Sequence, residues 1–220
     1  MAPRVPNLAH GWQLVTDPRV LEATIRDFIR PAVRAVPTRM AQQLGYGRVM
    51  LGADLGPNLV SRWTATDRGL DVSIATSGRE DHDIVMELLI CLGQALWERL
   101  NVDQRPAYWR LLDEEIGSGV VGEIDEEALQ AKRALLANRN SARSRVRLDR
   151  YGCSSFAGTA AEYVHSLWHD VSVRSGPDHL PPAQLRRRLE LLTRWFPPDR
   201  GYRLFPRSRG RRHTRGADCH

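Results

Sequence analysis

One segment limits the folds open to this chain more than any other. From Ile84 to Leu100, IVMELLICLGQALWERL, apolar residues recur at helical spacing, and Glu87 and Gln94 are the only strongly polar side chains before Glu98. A helix this apolar belongs inside a fold, covered on several sides, and not on a surface. It is also too short, and too interrupted by Glu87 and Gln94, to span a bilayer. With 220 residues and 42% hydrophobic content, the chain has enough material to build the core that such a helix needs.

The pattern around that helix predicts one α+β domain over residues 1–199, mainly helical with a small β-sheet. Val20, Ile25, Phe28, Ile29 and Val33 form a helical stripe within residues 18–44, with Pro31 and Pro37 as expected kinks or breaks. A small sheet is expected over about 48–76. There, GYGRVMLG gives a short extended run, and Leu59–Thr66 and Leu70–Thr76 alternate around Asp67, Arg68 and Gly69 as a hairpin. The glycines of GYGRVMLG lack any following phosphate-binding pattern and read as turns. Core helices then fill 84–196: the apolar one, shorter ones at about 104–113 and 124–138, and two more at Ser154–Val171 and Ala183–Phe196. The last is entered through Pro181 and Pro182. The stretch NRNSARSRVRLDR reads as a polar connection. Trp97, Trp168 and Trp195 stand among leucines at helical spacing and read as core.

Charge and cysteine content narrow the setting. The net charge is +6, and all of it sits in residues 200–220, where seven arginines face Asp218. This arginine-rich end reads as a solvated tail, expected to be disordered and to bind polyanions weakly. Lys132 is the only lysine. Cys91, Cys153 and Cys219 are odd in number, widely spaced and without a CxxC, which argues against a disulfide framework or a cysteine zinc knuckle and fits a reducing cytoplasm. The start, MAPRVPNLAHGWQLVTD, has no apolar run behind a positive end, so neither a secretory signal nor a membrane segment is expected.

Within the apolar helix, ICLGQAL has the rhythm of the HELGHAL segment of a zinc peptidase. An HExxH helix sends two imidazoles from one face to one ion, with the glutamate between them as general base. The matching positions here are Ile90, Cys91 and Gln94. Downstream, YGCSSFAGTAAEYVHSLWHDVSVRSGPDHLPPAQLRRRLELLTRWF resembles the closing segment of zincins related to anthrax lethal factor, a gluzincin family. In that family a tyrosine precedes FAE and a helix, followed by a proline-containing loop and a final helix. Phe156 and Ala157 match, Gly158 stands where the family has its third zinc ligand, and Tyr151 stands where its active-site tyrosine falls. The resemblance covers roughly residues 40–197 and extends to element order: helices, small sheet, HExxH-like helix, helical insertion, FAE-like helix. It implies a zincin-like fold whose ligand positions (Ile90, Gln94, Gly158) and base position (Cys91) have all changed together. Without zinc nothing lowers a water's pKa or polarises a carbonyl. The resemblance thus implies a pseudo-peptidase with no cofactor, kept as a binding or interaction module for an unidentified protein partner.

Two other readings stand beside it. On the helix after Ser154, Gly158, Glu162, His165 and His169 form a stripe opposite the apolar face, expected to look into a cleft. His165 and His169 have zinc-compatible spacing and could anchor a metal-dependent hydrolase with a relocated site. Glu162 and His169 lie about 10.5 Å apart along the axis, so one ion cannot take all three, and a third ligand must come from elsewhere. The other reading is a nucleic-acid-associated protein acting through the basic tail. Of the remaining features, Cys91 reads as inert packing in an apolar helix, and EDHD at 80–83 reads as a helix cap in preference to a hard-cation site.

The location of the charge makes the tail testable. Deleting residues 207–220 is expected to abolish low-salt binding to duplex DNA, measured by salt-dependent titration, and to leave the melting temperature unchanged. Undiminished binding by the truncated chain would move the basic surface onto the folded part.

Overall fold

The apolar segment is a helix, and the rest of the fold is arranged to cover it. A computed structural model describes residues 7–137, 144–169 and 176–204. In chain order, β1 (Gln13–Thr16) leads through α1 (Glu22–Thr24), a π-helical turn (Ile25–Ile29), α2 (Arg30–Ala35) and α3 (Thr38–Leu44) to β2 (Tyr46–Gly52), β3 (Ser61–Thr66) and β4 (Gly69–Ala75). The apolar helix α4 (Asp81–Arg99) follows, then α5 (Gln104–Gly117), α6 (Glu126–Ala137), α7 (Ser144–Trp168) and α8 (Pro182–Trp195). The class is α+β, mainly helical with a four-stranded sheet. The sheet packs on one side of α4 and α7 on another, which is why α4 is apolar nearly all round. Among the described residues no helix is long and apolar enough to cross a membrane.

The sheet order is β1-β2-β4-β3. β1, β2 and β4 run parallel, while β3 pairs antiparallel with β4 in the expected hairpin, whose turn is Asp67 and Arg68 alone because Gly69 already belongs to β4. β1 lies outside the span expected for the sheet. Its parallel pairing with β2 requires a crossover, which α1 to α3 supply. Trp12 fixes this edge: its indole N–H donates to the Gly45 carbonyl at 3.0 Å. Its ring lies where any side chain at Gly47 would be, 2.5 Å from a Cβ there.

The two prolines behave differently. Pro31 does not break its helix, because the π-helical turn at Ile25–Ile29 comes immediately before α2. A proline ring collides with the carbonyl four residues back, and a widened turn relieves that collision. Pro37, with φ −57° and ψ 140°, does separate α2 from α3.

The second half departs further from expectation. α7 reaches back to Ser144, so part of the expected polar connection is helix; residues 138–143 and Val171 lie outside the described residues. α7 is also not amphipathic in its middle. Tyr151, Ser155, Phe156, Ala157, Thr159, Ala161 and Tyr163 are all buried, since α2, α4, α5, α6 and α8 surround it. At the other end the chain stays on the body beyond 199: Asp199 accepts from the backbone N–H and hydroxyl of Thr38 at the start of α3, and Leu204 is buried. Residues 205–220, the bulk of the arginine-rich tail, lie outside the described residues.

What fastens α5, α6, α7 and α8 together is ionic. Arg188 of α8 is fully buried and bridges two buried carboxylates. Its Nη1 and Nη2 donate to Glu123 at 2.8 and 3.0 Å, and its Nε donates to Glu115 of α5 at 3.1 Å. Lys132 of α6 donates to Glu123 at 3.2 Å, Tyr151 of α7 donates to Glu123 at 2.6 Å, and Arg188 also donates to the Ser155 hydroxyl at 2.8 Å. Two cations and two anions balance with no water required. Burial alone would push Glu123 up, but Arg188, then Lys132 and the Tyr151 hydroxyl, override it and hold the carboxyl at about 2. Its folded value lies below the unfolded one, so its contribution is present above about pH 4.5 and is lost as pH falls toward 2.

Arg188→Met leaves Glu115 and Glu123 buried with only Lys132 to balance them. The expected loss is about 3–5 kcal/mol of unfolding free energy, read by urea denaturation. A loss below about 1 kcal/mol would mean the network does not hold the helices together.

Candidate functional site

The residues singled out in the sequence lie along the pair α4 and α7, whose contacts run in opposite chain directions. Trp97 meets Gly152, Gly93 meets Ala157, and His82 meets His165. The closest approach is at Gly93, where a Cβ would stand 2.7 Å from the Ala157 Cα and 2.8 Å from its carbonyl oxygen. Only glycine permits this contact. The segment ICLGQ of α4 is therefore pressed against FAG of α7.

Around that crossing, each position matched to a lost ligand or base has a definite place. Ile90 is half-buried and packs on the core, and Gln94 is half-buried beside Gly93. Cys91 is buried; desolvation pushes its thiol up to about 11 against a hydrogen bond with Ser61. At neutral pH it is a protonated thiol, neither base nor nucleophile. Gly158 does not look into an open cleft. A Cβ there would stand 2.3 Å from the Asp125 carboxylate and 3.6 Å from the Ile124 Cβ. Asp125 caps α6 by accepting from the Ala128 N–H at 2.8 Å, and burial raises its carboxyl to about 6. Tyr151 is likewise buried, its hydroxyl committed to Glu123 and its pKa raised by desolvation and by that carboxylate.

The stripe Gly158, Glu162, His165 and His169 was expected to line a cleft. Gly158 and His165 are instead buried, Glu162 is half-buried, and only His169 is exposed. The stripe is covered at Gly158 by Asp125 and at His165 by His82 of α4. The ring centroids of His165 and His169 stand 5.2 Å apart, and those of His82 lie 5.0 Å from His165 and 6.4 Å from His169.

His82 is the residue the sequence reading missed. It sits in EDHD, whose pattern predicts a helix cap, yet the α4 N-cap Glu80 makes no capping hydrogen bond with its side chain. Asp81 instead accepts from the Thr24 hydroxyl at 2.6 Å. The signal was latent in the packing direction: with Gly93 on Ala157 and opposite chain directions, stepping eleven residues each way pairs His82 with Trp168, between His165 and His169. Among the described residues, no three His, Cys, Asp or Glu side chains form a ready-made metal ligand set. Neither a protein-family model, nor a curated protein, nor a solved structure matches the chain.

Gly158→Ala tests the closed wall at Asp125. In an ordinary helix interior this change stabilises by about 1 kcal/mol. Here it must displace a capping carboxylate, so a loss of about 1–2 kcal/mol in chemical denaturation is expected. In the Asp125→Ala background the same change should become neutral or stabilising. A stabilising Gly158→Ala in the wild-type background would contradict the packing described.

Proposed function

We propose that this chain is a non-catalytic, zincin-like module that binds a protein partner instead of cleaving one. The observation that carries the reading is the Gly93–Ala157 crossing, which presses the HExxH-like segment of α4 against the FAE-like segment of α7. The order of elements, with helices and sheet before α4 and a helical insertion before α7, also supports it. At this crossing an isoleucine, a protonated thiol and an amide stand where two imidazoles and a base would be needed. The space for a third ligand at 158 is filled by Asp125. An isoleucine side chain offers no lone pair, a glutamine amide is a poor zinc ligand, and a protonated thiol is no base at neutral pH. The free thiols of Cys91 and Cys153 support a reducing compartment such as the cytoplasm.

The surface that suits a partner is β3. It ends the sheet, and Arg62, Thr64, Ala65 and Thr66 are exposed along it. The Ala75 N–H donates to the Val60 carbonyl, and Val60 lies opposite Ala75 in register. By alternation, residues 62, 64 and 66 exchange hydrogen bonds with β4, while the N–H groups of 61, 63 and 65 point away from the sheet. An extended peptide can add there as a further strand.

Peptides selected from a display library of unstructured sequences are expected to bind the wild-type chain and to be recovered uncut. Ala65→Pro removes one outward N–H from an exposed edge position without touching the β4 ladder. It should weaken binding at least tenfold by calorimetry, with the melting temperature little changed. Chelator-sensitive cleavage of the peptides would overturn the non-catalytic reading, and binding indifferent to Ala65→Pro would remove β3 as the surface.

A further inference from the structure

At the far end of the same helix pair, about 16 Å from Gly93 by helical rise, the fold gathers three imidazoles. His82 comes from the first turn of α4, and His165 and His169 follow the same face at the end of α7. We propose that His82, His165 and His169 form a binding site for a divalent zinc-class metal ion that staples the start of α4 to the end of α7.

Three observations carry this. The first is spacing: imidazoles bound tetrahedrally to one zinc at about 2.1 Å hold their ring centres about 5 Å apart. The centroid separations here are 5.0, 5.2 and 6.4 Å. The second is the state of His165, whose side chain is only 7% exposed and whose two ring nitrogens have no hydrogen-bond partner. A buried polar group without a partner is costly, and one that lies beside two other imidazoles is accounted for by a shared ion. The third is the outer shell. The Glu162 carboxylate stands 3.9 Å from Nδ1 of His165, and that of Asp83 stands 4.0 Å from Nδ1 of His82. At these separations the carboxylates are not hydrogen-bonded to the rings, but they place negative charge beside the proposed cation.

The site is not closed as it stands, since no ready ligand set exists among the described residues. The two outer histidines can close it: the His82 side chain is 42% exposed and His169 is exposed, so both can turn about a fixed His165. An all-imidazole set selects zinc, cobalt, nickel or copper over magnesium and calcium. The negative end of the α7 dipole favours a cation, and Asp81 and Asp83 offset the positive end of α4. This site shares no residue with the positions at 90, 91, 94 and 158, so it stands or falls apart from the function proposed above.

The test is calorimetric titration of tag-free full-length protein with zinc, together with cobalt for its visible tetrahedral bands. One equivalent of zinc per chain, a raised melting temperature and no competition from magnesium are expected. His82→Ala, at a half-exposed position that leaves folding intact, should weaken zinc by more than about 100-fold, beyond the loss of an outer-shell partner. Glu162→Gln, which removes a negative charge 3.9 Å from Nδ1 of His165, should weaken it by a smaller factor. Absence of stoichiometric zinc binding by the wild-type chain, or binding that survives His82→Ala undiminished, would overturn the proposal.

Discussion

The helical half of this fold depends on one guanidinium. Arg188 lies with no solvent contact between Glu115 and Glu123, and through Glu123 it reaches Lys132 and Tyr151. A buried ion pair of this kind gives little net stability over an apolar replacement, but it tolerates almost no displacement, because each charge has no other partner available. Four helices that meet at such a point have one way to assemble. The network also explains an oddity of composition. In a chain that uses arginine everywhere else, the single lysine is placed where a compact ammonium must reach both the Gly122 carbonyl and one oxygen of Glu123.

A second constraint acts at right angles to the first. Small residues on α7 and the glycine of α4 allow those two helices to touch backbone to backbone at Gly93 and Ala157, and Gly152 receives the rings of Trp97 and Trp109. Contacts of this closeness set the register of the pair as well as its distance. Fixing Gly93 on Ala157 determines that His82 arrives between His165 and His169, eleven residues along α4 from where the contact is made. Thus the chemistry proposed at the histidines is a product of packing elsewhere.

How much of this was legible in the sequence follows from which interactions are local. The hairpin of β3 and β4, the apolar helix and the entry of α8 through Pro181–Pro182 were readable, because periodicity and turn residues report on neighbours in the chain. β1 was not, since four residues carry too little periodicity and its pairing with β2 is decided 35 residues later. The burial of α7 was misjudged for a related reason. Ser155, Thr159 and Tyr151 look polar in sequence, but their hydroxyls are consumed by partners distant in the chain, with Tyr108 bonding Ser155 and Thr159 and Glu123 taking Tyr151. At the candidate site, Ile90, Cys91, Gln94 and Gly158 could be singled out only through the family resemblance, and the wall that Asp125 builds over Gly158 could not be seen at all. Nor could His82, because its meaning arises only when two distant helices lie side by side.

The placement of Lys132 has a consequence for the chemistry of the folded molecule. It is the only lysine and is 1% exposed, with its ammonium held beneath Tyr151 and against Glu123. The native protein therefore offers solvent no side-chain amine at all. Acylating reagents, aldehydes and enzymes that attach groups to lysine meet their target only when α6 parts from α7, so side-chain amine reactivity in this chain is a measure of opening and not of surface.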